Sequence, residues 1–166
     1  MALANSVNLL KNPYGSQGFA SWTRFDNGCP GWAVETQGTL DENSHVFVCS
    51  YSWSSLLQSV PVDPSRTWQG TCYTYIARRN DCGAVAQLQV HIVNTYTGIQ
   101  QIQTAEVVCP TDPGKGGYCK FVKLELKFKV PKGTIAIVVT IRGKDTQYWG
   151  GYFGARFGLT GLHLAC

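Results

Sequence analysis

The sequence predicts an all-β domain, and three observations carry that prediction. Apolar residues alternate with polar ones at period two in several stretches, eighteen glycines and seven prolines supply turns, and a single Met with few Ala and Glu leaves little material for long helices. At 166 residues and 18.2 kDa the chain has the length of one domain with a full hydrophobic core.

In chain order, strands are expected around His45–Ser52, Thr71–Ala77, Leu88–Ile92, Ile102–Val108, Phe121–Val130, Ile135–Ile141, Gly151–Phe157 and Leu159–Ala165. In the third, Leu88, Val90 and Ile92 are separated by Gln89 and His91, which places the two sets on opposite faces. Leu124, Leu126, Phe128 and Val130 alternate with Lys123, Glu125, Lys127 and Lys129 in the same way. Ile135, Ile137, Val139 and Ile141 continue the alternation after Pro131-Lys132-Gly133, so these two segments are expected to pair as an antiparallel hairpin. Turn-rich segments at Asn27–Gly31, Val60–Gly70, Arg79–Gly83, Asp112–Gly117 and Gly143–Thr146 separate the strands. This spacing suggests a sandwich or barrel rather than βαβ units, and no repeat, linker or compositional break divides the chain.

Charged residues make up 14% of the chain, well below the roughly 25% of an average soluble protein. A net charge of +4 does not by itself imply nucleic-acid binding. No apolar run approaches the roughly 18 residues needed to span a bilayer, and the opening segment lacks the pattern of a secretory signal. Seven cysteines point the other way, towards an oxidising compartment. Cys109 and Cys119 bracket a Gly/Pro-rich loop that a disulfide would staple, and Cys72 and Cys82 flank a turn; spacing alone establishes neither pair.

His45, His91 and His163 lie in separate strands without metal-ligand spacing, and the cysteines form no zinc pattern, so no metal or cofactor is expected. Gly114-Lys115-Gly116-Gly117 lacks P-loop spacing and reads as a strand connection. With no nucleophile elbow, HExxH or paired-carboxylate pattern, an enzyme is not expected. Lys120, Lys123, Lys127, Lys129 and Lys132 read as a solvent-facing strip that guards a sheet edge.

The segment Asp145-Thr-Gln-Tyr-Trp-Gly-Gly-Tyr-Phe-Gly-Ala-Arg156 stands apart. Beside glycines, Tyr148 and Trp149 either project as an aromatic platform for the apolar face of a sugar or fill the core of a terminal hairpin; Phe153 is assigned to the core.

Together with Asn8-Leu-Leu-Lys-Asn-Pro-Tyr-Gly15, Gly18-Phe19, Trp22 and Gly31-Trp32-Ala-Val-Glu35, that segment resembles the F-box-associated domain of sugar-binding F-box proteins and of the nonspecific cytotoxic cell receptor proteins of fish. The resemblance covers residues 7–165. It implies a single-domain β-sandwich with jelly-roll topology, galactose-binding-like, that recognises glycans or glycoproteins. It further implies that Tyr148 and Trp149 hold the inner GlcNAc pair of an N-glycan, with Asp81 of Arg78-Arg-Asn-Asp-Cys-Gly83 as a polar partner and an aromatic from near Tyr51 or Trp53. Glycan-binding members carry Lys where this chain has Gly150, and Lys144 is the candidate substitute. With no room before residue 7 for an F-box, a free-standing lectin-like protein is expected rather than a partner of the ubiquitin-ligase scaffold. The alternative is a glycan-independent protein-interaction module or ligase substrate-recognition domain. The cytoplasm is the expected location, with unconventional secretion as the alternative.

Overall fold

A computed structural model describes residues 7–27, 29–36, 45–111, 117 and 119–166. Ten strands follow in order: β1 (Thr23–Phe25), β2 (Trp32–Thr36), β3 (His45–Cys49), β4 (Ser54–Pro61), β5 (Trp68–Ala77), β6 (Ala84–Asn94), β7 (Gly98–Cys109), β8 (Val122–Val130), β9 (Thr134–Asp145) and β10 (Arg156–Ala165). They form two five-stranded antiparallel sheets, β1-β4-β9-β6-β7 and β2-β3-β10-β5-β8, in the expected jelly-roll sandwich, with no helix among the described residues.

The alternating residues supply the core. Leu56, Ile141 and Leu88 share one register row across β4, β9 and β6, while Val60, Ile137 and Ile92 share another, and all six are buried. Cys72, Leu126, Phe128, Val130, Phe157 and Leu162 of the other sheet belong to the same core. Each fully buried aliphatic or aromatic side chain of this kind contributes about 1.5–3 kcal/mol relative to exposure. Several polar groups within the sandwich are paired. Thr74 and Thr160 share a hydroxyl hydrogen bond at 2.8 Å, and the Gln58 amide exchanges two bonds with the Lys11 backbone at 2.7 and 3.0 Å.

The expected hairpin between the strands flanking Pro131 does not form. β8 pairs with β5, β9 pairs with β4 and β6, and the intervening turn crosses from one sheet to the other. Pro131 has no N–H to donate, and Gly133, at φ +89°, gives its own N–H to Pro64 O at 2.8 Å, so the turn is tied to a loop outside the two strands. Alternation identifies the inward face of each strand but not the sheet it joins.

Other boundaries also differ, and β4 and β5 both run into the expected Val60–Gly70 turn, to Pro61 and from Trp68. β9 continues through the expected turn at Gly143 to Asp145; residues 151–155 are loop, so the last two expected strands reduce to β10; and β1, β2 and the Ser54–Ser59 part of β4 had no expected strand. Within the expected Asp112–Gly117 turn only Gly117 is among the described residues, so the Gly114–Gly117 connection lies otherwise outside them.

The N-terminal motif closes one side of the sandwich. Asn8 Nδ2 donates to Thr160 O at 3.0 Å while its Oδ1 accepts from Leu162 N at 3.1 Å, stitching the segment to β10. Asn12 Nδ2 donates to Gly18 O and Ala20 O, each at 2.9 Å, folding the following turn over Phe47. Gly15, at φ +81°, lies so close that a Cβ there would stand 3.0 Å from the Phe47 ring.

Candidate functional site

Strand order brings three connections to one end of the sandwich: residues 50–53 between β3 and β4, 78–83 between β5 and β6, and 146–155 between β9 and β10. Backbone hydrogen bonds bind them together. Asp145 N donates to Ser50 O and Thr146 N to Gly83 O, both at 2.9 Å; Gly154 N donates to Cys49 O at 2.9 Å and Cys49 N to Ala155 O at 3.1 Å. Ser50 Oγ donates to Gly151 O at 2.6 Å. A Cβ at Gly154 would fall 2.6–2.8 Å from Cys49 Sγ and the carbonyl oxygens of Cys49 and Ser50, so this close approach requires glycine.

Two buried ionisable side chains shape the 146–155 loop from inside. The Asp145 carboxylate is fully buried, and its Oδ1 accepts from Gln147 N at 2.9 Å and Tyr148 N at 2.5 Å. That turn holds Tyr148 at φ +57°, a left-handed conformation unusual for a residue with a side chain. Arg156, 1% exposed, donates to Gly154 O at 3.3 Å and to Glu35 Oε2 at 3.2 Å, fixing the far end of the loop.

The aromatic residues consequently face outward. Tyr148 is 71% exposed and Trp149 39% exposed, so neither fills the core of a terminal hairpin. Phe153 is a correction: it is half-buried within the loop, not in the core, and meets Trp149 edge-on at 5.6 Å. The Arg79 guanidinium lies 4.9 Å over the Phe153 ring and forks onto Asp81 through bonds of 2.8 and 2.6 Å. Asp81 is therefore linked to Trp149 through Arg79 and Phe153. Hydrogen bonding from Arg79 holds the exposed Asp81 carboxyl below the usual carboxylate range.

On the other flank, Lys144 Nζ lies 5.2 Å from the Tyr148 ring and 5.7 Å from Trp53, while the Arg142 guanidinium lies 4.6 Å from Trp53. Trp53, from the β3–β4 connection, and Tyr148 thus share Lys144 between them. Gly150 is exposed, with no atom within 4 Å of where a Cβ would stand. Arg79, Arg142 and Ser50 were absent from the sequence-derived site. For Arg142 a signal existed: it and Lys144 take the outward positions of β9 between the buried Ile141, Gly143 and Asp145.

The remaining candidates lie apart from this end or make no site. Among the described residues no group of three or more His, Cys, Asp or Glu is placed to hold a metal ion. All seven cysteines are free thiols, so neither Cys109–Cys119 nor Cys72–Cys82 is bonded, and burial pushes the Cys72 thiol up to about 12. The lysine strip on β8 faces outward, where Glu125 bridges Lys123 and Lys127. No helix is long and apolar enough to cross a membrane.

The family described as the F-box associated region matches residues 4–160. Among curated proteins, F-box only protein 2 of Bos taurus is 25% identical over 167 residues, covering 90% of this chain and 56% of that protein. F-box only protein 44 of Homo sapiens is 28% identical over 169 residues, covering 90% and 64%. The chain thus spans somewhat over half the length of these relatives. Among solved structures, TmCBM61 in complex with β-1,4-galactotriose superposes with a TM-score of 0.61 at 18% identity, covering 96% of this chain and 99% of that one. The CBM22-1 xylan-binding domain of Paenibacillus barcinonensis Xyn10C superposes at 0.50 and 15% identity, covering 98% and 97%. These two likenesses establish a shared sandwich fold.

Proposed function

The chain belongs to the F-box associated family, and from that premise we propose that residues 7–165 form a non-catalytic carbohydrate-recognition domain for N-glycans carrying GlcNAc and mannose. The observation that carries this reading is the exposed Tyr148–Trp149 pair, held outward by a fully buried carboxylate. A pyranose ring has one face of C–H groups that an aromatic ring desolvates. Asp81, aligned by Arg79, accepts from sugar hydroxyl or acetamido groups, and Lys144 supplies the cationic donor that Gly150 cannot. Two structural neighbours, one bound to a galactotriose and one a xylan-binding domain, accord with sugar recognition on this fold. The proposed partners are glycoproteins met in the cytoplasm.

A glycan array probed with the wild type, Tyr148→Ala and Trp149→Ala tests this. Selective binding that drops at least about tenfold in each variant, with folding retained, is the expected outcome. Failure to bind any glycan would overturn the reading in favour of glycan-independent protein interaction, and co-precipitation with ubiquitin-ligase scaffold components would then identify an adaptor.

A further inference from the structure

The two cations around Trp53 lack the carboxylate partner that six other basic residues have. Arg24, Arg66, Arg79, Lys123, Lys127 and Arg156 each have a carboxylate within 4 Å. Among the described residues Arg142 and Lys144 have none; their recorded contacts are the rings of Trp53 and Tyr148. They stand two residues apart on the outward side of β9, so their charges repel, and their cross-strand partners Ser55, Gln87 and Val85 carry no charge to offset this. The carboxylate on Arg142's register row, Glu106, is two strands away and engaged by Gln87. Arg142 Nε is buried without a hydrogen-bond partner. A guanidinium and an ammonium held together on one indole, uncompensated and next to the aromatic platform, form a receptor lacking its anion.

We propose that Trp53, Arg142 and Lys144 form an anion subsite adjoining Tyr148 and Trp149, which takes a carboxylate or sulfate on a neighbouring sugar of the same glycan. This inference rests on the carbohydrate reading above and adds a substrate class to it: acidic glycans in preference to neutral ones. Arg142 binds two oxygens of the anion through its planar fork, and Lys144 contributes a point charge from the platform side. Because the subsite is partly open, its contribution is screened by salt.

The test is equilibrium titration with three matched probes: an asialo biantennary N-glycan, its sialylated form and its sulfated form, each at low and physiological salt. At low salt one or both acidic forms should bind about tenfold more tightly than the neutral form, as charge-assisted hydrogen bonds are the stronger kind. Salt should shrink that ratio, and Arg142→Gln should bring it close to one, with partial recovery in Arg142→Lys. The sialylated and sulfated arms distinguish which anion is the ligand. Equal affinity for all three probes, or a preference that survives both salt and Arg142→Gln, overturns the subsite while leaving the aromatic reading standing. Binding of none of the three overturns both. The salt series on the wild type reads the effect without any variant.

Discussion

The N-terminal segment, residues 8–22, and the loop at residues 145–156 are made of similar materials: glycines, tight turns and aromatic rings. Their architecture is inverted. In the first, Tyr14 stays at the surface but Phe19 and Trp22 pack on Phe47: Trp22 is 7% exposed, meets Phe47 edge-on at 5.6 Å and gives its indole N–H to Asn12 O at 2.9 Å. There the polar amide of Asn12 stays near the surface and wraps backbone over the rings. In the second, the polar group is inside and the rings are outside, with the buried Asp145 pulling two N–H groups inward and leaving Tyr148 in solvent. Burying a carboxylate costs several kcal/mol unless hydrogen bonds offset it, and exposing a large ring forfeits its burial. Folding alone favours the first arrangement. The second is kept against that preference, which is the physical reason to assign it a ligand.

The contrast breaks most visibly at Trp22. Trp22→Ala should destabilise the domain by about 3–5 kcal/mol, measured by urea denaturation, because it leaves a cavity against Phe47. Glycan affinity of the folded fraction should not change. A loss below about 1 kcal/mol would mean that the N-terminal segment is not part of the core packing.

Asp145→Ala should cost less, about 1–3 kcal/mol, by leaving the Gln147 and Tyr148 amides without their acceptor, and it should remove glycan binding as the loop relaxes. Asp145→Asn, which keeps an acceptor oxygen, should recover part of both. Retained affinity in Asp145→Ala would show that the inside-out arrangement does not position the platform.

The smallest structural effect is expected for Gly150→Lys. With open space around the position, stability should stay within about 0.5 kcal/mol, while affinity for the GlcNAc pair should rise. Unchanged affinity would indicate that Lys144 already fills the role of the family's lysine.

Much of this was legible beforehand, for identifiable reasons. The inward faces of β6, β8 and β9 follow directly from period-two alternation, and Leu88, Leu126 and Ile141 are buried as their positions require. β4 was hidden because its inward positions include the polar Ser54 and Gln58, whose partners, Gly31 O and the Lys11 backbone, are distant in sequence. The pairing of β8 was misread because sheet membership depends on crossovers, which leave no periodic trace. At the site, Tyr148 and Trp149 stood out through their glycine neighbours. Phe153 did not, since a phenylalanine in an expected hairpin reads as core and the Arg79 that covers it comes from another loop. Trp53 and Arg142 likewise gain their meaning only when β9 is laid beside the β3–β4 connection.

The strand order also has a consequence for how the molecule is made. β9 and β10 occupy the centres of their sheets, so a chain emerging from the ribosome holds neither sheet until they appear. Before then, β4 and β6 present open edges towards the gap that β9 will fill, as β3 and β5 do towards β10. The segment joining β9 to β10 is the aromatic loop. Synthesis of the recognition surface and closure of both sheets are therefore one event, and a nascent chain acquires Tyr148 and Trp149 only as its vulnerable edges are being sealed.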